Sequence, residues 1–356
     1  MKILYSFSGH GHGHGIRSAV VIQFLKKIGH QVKAATYAQG LKVAQEVGLI
    51  DVVEIEGYRM YYNRRGLAGG KTLFKFFNRS PGVIFSNLIR FSRVLNEFRP
   101  DLIISDFEPF SAYWAKWKDI PLIKINNQSV MTLTKIKIPA EFYPDYLTSR
   151  TVVDIFAPRA KFNFVLSFSP ELTPIKKRYQ KNSFLVPPIL RGKIFSLQPK
   201  KQNFILVYQT SPVYQKKLIK ILTQFSQIRF NIYNLDSEFY PVNNLQFKNF
   251  SENEFLSDLA NCRAVITNGG FTLISEAIYL GKPILSWPVQ NDFEQILNAI
   301  LLERSSYGKF SENLNQQTLG DFLNNLDFYE NNLRNYHQDK NKFFEEKLGE
   351  ILENIK

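Results

Sequence analysis

The sequence predicts two consecutive α/β domains, each a doubly wound, Rossmann-like parallel sheet. Three observations carry this expectation: apolar runs alternate with amphipathic segments in both halves, the alternation breaks near Pro187-Pro188, and glycine-rich turns join strands to helices. Strands that alternate with helices pair in parallel through right-handed crossovers. A chain of 356 residues with 44% hydrophobic content has material for two cores of ordinary size.

In the first half, residues 3–7 read as a strand, followed by a Gly/His loop and a helix over 16–28 with Ile16, Val20, Phe24 and Ile28 on one face. Gly29 stops that helix; residues 32–37 and 52–55 read as strands around a short helix at 40–47. A helix over 81–98 closes at Arg99-Pro100, and strands at 102–105 and 122–125 flank a helix at 110–118. Residues 191–202 are polar, basic and proline-containing, which suits a linker between a first domain at 1–190 and a second at 191–356. The pattern then restarts with strands at 204–208, 230–233, 264–267 and 283–286 and helices at 214–225, 253–259, 273–280 and 293–302. After Gln317 the chain is charged, Asn-rich and helical. Two such units place the expected ligand cleft between them.

A formal charge of +14 suits nucleic acid, an anionic membrane face or acidic small substrates. The single cysteine, Cys262, excludes an intramolecular disulfide and fits a reducing compartment. The opening residues read as a strand rather than a secretory signal, and no stretch reaches the ~18–20 apolar residues of a membrane span. A cytoplasmic location is expected.

The most informative segment runs from Thr267 through Asn268, Gly269, Gly270, Phe271 and Thr272 to Glu276 and Ala277. A strand ends in Gly-Gly and feeds a helix, so a diphosphate can approach the backbone and meet free helix N-terminal amides. Gly281-Lys282-Pro283 follows, then Trp287-Pro288, Glu294-Gln295 and Asn298-Ala299. In this order the residues resemble the nucleotide-sugar signature of the MurG and UDP-glucuronosyltransferase families. The resemblance implies a GT-B fold, with Gly269, Gly270 and Phe271 facing the diphosphate, Glu276 the ribose, and Glu294 and Gln295 the transferred sugar. Asn268 stands where many relatives carry His, and Asp292 leaves open which carboxylate meets the sugar. Phe250 occupies the position of an aromatic wall for the base, and Thr210 and Ser211, ending the first strand of the second half, are within reach of phosphate on the same reading.

The second anchor is the run Gly9-His10-Gly11-His12-Gly13-His14-Gly15 after the first strand. It departs from a dinucleotide fingerprint, because its third glycine comes too early and the strand near Tyr37 ends without an acid. Imidazoles on alternate residues of a flexible loop are unoriented and make a poor zinc set, so no metal is expected. The segment instead resembles the Gly-His-x-x-Arg-Ser loop of an archaeal and bacterial glycosyltransferase-like family, with His14, Arg17 and Ser18 matching. The Asp106-Phe107-Glu108-Pro109 segment belongs to the same resemblance. It implies His14 as general base, Asp106 as its orienting acid, and Arg17 and Glu108 as acceptor contacts. An imidazole of ordinary pKa ~6.5 suits removal of a hydroxyl proton at neutral pH.

Residues 58–79 interleave Tyr58, Tyr61, Tyr62, Phe74, Phe76 and Phe77 with Arg59, Arg64, Arg65, Lys71, Lys75 and Arg79. They read as a mobile loop that meets an anionic membrane surface, presenting a lipid or glycan acceptor. The expected function is transfer of a sugar from a nucleotide-sugar donor, UDP foremost, to a hydroxyl acceptor by inverting displacement without a cofactor. Nucleic acid is not an expected partner. A nucleotide-sugar epimerase and a nonenzymatic polyanion-binding protein are the alternatives.

Overall fold

In the computed structural model, residues 1–57, 62–63, 66–67, 69–211, 214–235 and 244–355 are described, with the backbone alone for 62–63, 66–67, 69–81, 84 and 95. The chain divides into two units: residues 1–61, 68–191 and 339–356 form the first, and 62–67 with 192–338 the second.

The first unit begins with β1 (Lys2–Phe7), α1 (Gly11–Lys27), β2 (Gln31–Thr36), α2 (Gln39–Glu46) and β3 (Val52–Glu54). A two-stranded antiparallel pair, β4 (Tyr62–Asn63) with β5 (Gly66–Leu67), precedes α3 (Gly69–Phe98). Then come β6 (Leu102–Asp106), α4 (Pro109–Trp117), β7 (Leu122–Asn126), α5 (Val130–Leu133), α6 (Tyr143–Phe156), β8 (Phe162–Leu166) and β9 (Ser183–Val186). Seven of these strands form a sheet in the order β3-β2-β1-β6-β7-β8-β9, every pair parallel. Both faces of such a sheet are covered, which is why β1, β6 and β7 are nearly continuous runs of buried residues.

The second unit runs α7 (Gly192–Ser196), β10 (Phe204–Tyr208), α8 (Gln215–Leu222), β11 (Arg229–Tyr233), β12 (Leu245–Lys248), α9 (Glu252–Asn261) and β13 (Ala264–Thr267). It continues with α10 (Phe271–Tyr279), β14 (Ile284–Ser286), α11 (Phe293–Arg304), β15 (Gly308–Phe310), α12 (Gln316–Asn324) and α13 (Leu326–Leu333). Its six strands follow the order β12-β11-β10-β13-β14-β15, again all parallel. The core on one face joins Ile205, Val207, Phe230, Ile232 and Leu285 to Leu218, Leu222, Leu319 and Phe322.

In each sheet the winding reverses once, between β1 and β6 in the first and between β10 and β13 in the second. Ligands of open α/β sheets bind outside the carboxyl ends of the strands at such a switch point. The switch points are therefore where functional side chains are to be sought.

Three elements differ from the sequence expectation. Helix α1 starts at Gly11, so most of the Gly/His run is its first turn rather than a loop. The glycines there serve packing: a Cβ on Gly9 would stand 1.9 Å from the Tyr37 carbonyl oxygen, and one on Gly15 2.6 Å from Val43. Helix α3 starts at Gly69 instead of residue 81, carrying Pro81 in its interior, where the ring removes one backbone hydrogen bond. Tyr58, Arg59, Tyr61, Arg64 and Arg65 lie outside the described residues, as do the side chains of Tyr62, Lys71, Phe74, Lys75, Phe76, Phe77 and Arg79. No described helix is long and apolar enough to cross a membrane.

The third difference is at the end of the chain. Helix α14 (Lys342–Asn354) joins the first unit, not the second as a single cut at residue 190 implies. Phe344 packs edge-on against Phe164 of β8 at 5.2 Å, and Lys347 lies over the Phe184 ring of β9. Asn341, in the left-handed region at φ 69°, clasps the backbone of Leu190. Its Nδ2 donates to the Leu190 carbonyl at 2.8 Å, and its Oδ1 accepts from the Leu190 amide at 3.1 Å.

Candidate active site

At the switch point of the first unit, Phe7 at the end of β1 pairs in register with Asp106 at the end of β6. The Ser8 amide extends that pairing by donating to the Asp106 carbonyl at 3.0 Å. Helix α1 leaves from this edge, so His14 and Arg17, one turn apart, face the carboxylate of Asp106. His14 Nδ1 is 2.8 Å from Asp106 Oδ1. Arg17 grips both oxygens, its Nη2 donating to Oδ1 at 2.6 Å and its Nε to Oδ2 at 2.7 Å. Ser18 Oγ adds a longer bond to Oδ2 at 3.4 Å, and Arg17 Nη1 reaches Asn127 Oδ1 at 3.1 Å.

The electrostatics follow from that geometry. Burial alone would raise the Asp106 pKa, but the Arg17 and His14 charges and their hydrogen bonds outweigh it and hold the carboxyl below its ordinary range. An ionised carboxylate is acceptor-only, so the proton shared with His14 sits on Nδ1 and the lone pair of the neutral ring is on Nε2. Arg17 Nη2 also lies 2.9 Å from His14 Nδ1, as expected when two donors converge on one oxygen. Asp106 is fully buried and Arg17 3% exposed, whereas His14 keeps 12% of its side-chain surface. Of these three groups, only the imidazole is placed to exchange a proton with something outside the protein.

Phe107 completes the setting. Its φ of 56° is in the left-handed region, a conformation that costs a non-glycine residue about 1–2 kcal/mol. The ring then lies nearly parallel to the His14 imidazole with centroids 6.3 Å apart.

Two expected acceptor contacts have other work. Glu108 is fully buried and caps α4, its carboxylate accepting from the amides of Phe110 at 2.9 Å and Ser111 at 2.8 Å. Burial raises its pKa, opposed by those same hydrogen bonds. Arg17 bonds to Asp106 and Asn127, and so organises the carboxylate. His10 and His12 also diverge from His14: the His10 ring meets Tyr37 edge-on at 5.6 Å, and His12 Nε2 is 2.8 Å from Gln39 Nε2. Among the described residues no group of His, Cys, Asp or Glu side chains is arranged to hold a metal ion.

At the switch point of the second unit, Tyr208 at the end of β10 pairs with Thr267 at the end of β13. The chain turns through Asn268 and Gly269 into Gly270, the N-cap of α10, which has no side-chain cap of its own. Gly269 adopts φ 118°, and a Cβ there would stand 2.8 Å from the Gln295 carbonyl oxygen. Gly270 is the opposite case: a Cβ on it would meet nothing within 4 Å. Asn298 Nδ2 holds the turn by donating to the Gly269 carbonyl at 3.0 Å. Asn268 is itself pinned, donating to Gln209 Oε1 and accepting from the Thr210 amide at 2.9 Å and hydroxyl at 3.2 Å. The Ser211 amide donates to Gln209 Oε1 at 3.1 Å, so Thr210 and Ser211 are tied to the Gly-Gly turn through amides.

Glu276 is buried within α10, and Phe271 is buried at its first turn. Phe250 is exposed just ahead of α9, its ring 5.5 Å from Phe255. Asp292 caps α11 and accepts from Gln295 Nε2 at 2.9 Å, while Gln295 Oε1 accepts from the Val289 amide at 3.1 Å. Desolvation, with the neighbouring Glu294 charge behind it, raises the Asp292 pKa to about 7. Sequence reasoning missed Gln209, Asn298 as a turn-holder, and the 126–129 segment beside His14; a run of four polar residues after a buried strand was the available signal for the last.

Two parallel α/β units with a ligand edge at each switch point define a GT-B glycosyltransferase fold, and solved structures agree. The calicheamicin glycosyltransferase CalG4 superposes with a TM-score of 0.69 at 16% identity, covering 99% of this chain and 98% of its own. The spinosyn rhamnosyltransferase SpnG, in a complex with thymidine diphosphate, gives 0.61 at 14% identity over 94% of each chain. By sequence the chain belongs to Glycosyl transferase family 1, whose pattern it matches over residues 1–327. It is therefore an enzyme of glycosyl transfer. An uncharacterized glycosyltransferase of Methanosarcina acetivorans is 25% identical over 335 residues, covering 87% of this chain and 83% of the relative. One from Methanosarcina mazei is 25% identical over 344 residues, covering 87% and 85%.

Proposed function

We propose that the enzyme transfers a sugar from a pyrimidine nucleotide diphosphate, UDP foremost, to an acceptor hydroxyl by inverting displacement, with His14 as general base. The observation that carries the proposal is the His14–Asp106 pair, in which a buried carboxylate fixes the Nδ1–H tautomer of the one partly exposed member. The acceptor oxygen gives its proton to Nε2 as it attacks the anomeric carbon. The bond from that carbon to the diphosphate breaks, and its electron pair leaves with the diphosphate. Asp106 stabilises the imidazolium that forms, tempered by the Arg17 charge on the same carboxylate.

The donor half of the proposal rests on the second unit. Amides at the start of α10 oppose the charge that develops on the leaving diphosphate, without a metal ion. Gly270, open on its Cα side, allows close approach of that group, while the strained Gly269 and the Asn298 bond set the angle of the turn. Glu276 is assigned to the ribose, Phe250 to the base, and Glu294 with Gln295 to the sugar, following the nucleotide-sugar signature. The resemblance to that signature favours UDP, and the thymidine diphosphate bound to SpnG supports a pyrimidine carrier. The aromatic and basic residues 58–79 favour a lipid or cell-envelope glycan acceptor at an anionic membrane. Family membership favours transfer over an epimerase or a polyanion-binding protein.

The test is His14→Ala with a panel of nucleotide diphosphate sugars. Donor affinity by calorimetry is expected to stay near wild type while turnover falls ~10²–10⁴-fold, the usual loss for a general base. Unchanged turnover, or sugar epimerised without any acceptor, would overturn the assignment.

A further inference from the structure

The end of β7 and the turn after it hold four consecutive buried polar residues, Asn126, Asn127, Gln128 and Ser129. The turn is self-fixed: Asn126 Oδ1 accepts from the Ser129 amide at 2.8 Å, and the Ser129 carbonyl accepts from the Leu133 amide at 2.8 Å. Asn127 binds Arg17, which places Gln128 over the remaining nitrogen of His14. Gln128 Nε2 is 3.3 Å from His14 Nε2. Since Nδ1 carries its proton toward Asp106, Nε2 is the acceptor and the amide N–H of Gln128 points into its lone pair.

We propose that Gln128 is the positioning residue for the acceptor: at rest its amide covers the lone pair of the base, and in the complex it donates to the acceptor oxygen. An oxygen that replaces this contact, within hydrogen-bond reach of both nitrogens, accepts from Gln128 Nε2 while its own O–H points at His14 Nε2. The same amide opposes early protonation, because an imidazolium N–H would face an amide N–H. His14 thus gains full basicity only when a hydroxyl separates the two groups. The chemistry selects a neutral hydroxyl, which can accept and donate at once, over an amine cation, which cannot accept. This inference rests on the assignment of His14 as base, and its test has one arm that does not.

That arm is titration of His14 by NMR in protein labelled at histidine nitrogens, the His14 signals being those absent from His14→Ala. Wild type, Gln128→Leu and Gln128→Glu are compared. The charged groups touching the imidazole, Asp106 from β6 and Arg17 from α1, are retained in every variant. Removing a donor to the neutral ring favours its protonated form, so the midpoint should rise in Gln128→Leu. A carboxylate in its place should raise it further, by about one unit or more. A fall in Gln128→Leu would mean that the amide presents its carbonyl, and equal midpoints would mean no contact; either overturns the proposal.

The second arm uses glycerol as hydroxyl probe with whichever nucleotide sugar the wild type hydrolyses. Gln128→Leu should raise the KM for glycerol about three- to tenfold, as one lost hydrogen bond does, and leave the donor KM unchanged. Thermal melts show whether each variant is folded. A fall in kcat and donor affinity together with a lowered melting point would assign Gln128 to structure alone and overturn the acceptor role. Absence of turnover with every nucleotide sugar overturns the base assignment and with it the acceptor role, while the titration separately decides the resting contact.

Discussion

The two units reverse their winding at equivalent points of equivalent sheets, yet the edges are furnished differently. At the β1/β6 edge the setting is charged: a buried carboxylate held by a bidentate guanidinium, with an imidazole hydrogen-bonded to it. At the β10/β13 edge it is neutral: an amide pair between Asn268 and Gln209, a glycine turn, and the uncapped start of α10. Moving a proton needs a titratable group of set tautomer, which a hydrogen-bonded carboxylate imposes here. Stabilising a charge that arrives with the substrate needs dipoles that are already aligned, which backbone supplies without burying a charge of its own. On the proposed mechanism, the two edges would serve the two halves of the displacement by different physical means.

The contrast is tested hardest by Arg17→Met. Removing the guanidinium leaves the Asp106 carboxylate buried with His14 and the longer Ser18 bond, and such breaks cost about 3–5 kcal/mol. Denaturant unfolding should show a loss of that order; a loss under about 1 kcal/mol would mean that water or another donor replaces Arg17 and that the edge does not depend on paired charge.

In the second unit the equivalent break is in backbone, and adjacent glycines should separate its two functions. Gly269→Ala forces a side chain into φ 118° and against the Gln295 carbonyl, so about 1–3 kcal/mol of stability should be lost. Gly270→Ala meets no atom within 4 Å and should melt like wild type, yet bind UDP several-fold more weakly. Differential scanning and calorimetry on the pair decide it, and equal UDP affinity in Gly270→Ala would remove that glycine from the donor site.

Glu108→Ala sharpens the boundary of the charged edge. As an N-cap it should cost about 0.5–2 kcal/mol while leaving turnover per folded molecule unchanged. A raised acceptor KM with unchanged stability would restore Glu108 to the acceptor.

The smallest effect expected is at Asp292, beside the neutral edge, whose pKa burial raises to about 7. Its folded pKa of about 7 is above its ordinary 3.8, so the folded state holds a proton that the unfolded chain releases. Its contribution to stability is complete below the lower value and declines as pH rises through the window to 7. Asp292→Asn keeps a capping side chain and abolishes the decline, so above pH 7 it should be more stable than wild type by about 1 kcal/mol, allowing for screening at a half-buried site. Parallel pH–stability curves for the two proteins would contradict the raised pKa.

How much was legible in the sequence follows from how local each feature is. Strand β13, the Gly-Gly turn and α10 are contiguous, and their pattern located them closely. Asp106 was legible as the end of a strand and His14 as part of the Gly/His run that follows another, while their contact is visible only in the structure. The role of Arg17 was missed because its partner is 89 residues away and nothing in local spacing separates a guanidinium that binds substrate from one that grips a carboxylate. The capping role of Glu108 was not read, although Pro109 at the first helical position marks a helix start and an acid just before it is a cap. The early start of α1 was hidden by glycines, which read as loop until the contact of Gly15 with Val43 shows that only a bare Cα fits.

The clasp of Asn341 on Leu190 carries a consequence for how the molecule is made. Residues 192–338 are an insertion into the first unit, whose sheet is flanked by a helix encoded after them. On the ribosome the first unit emerges early but stays without α14, leaving the surfaces of Phe164 and Phe184 uncovered throughout synthesis of the second unit. The second unit, contiguous in sequence apart from residues 62–67, is the one able to finish during translation. Order of synthesis and order of completion are thus reversed, and the domain bearing the His14–Asp106 pair is sealed last.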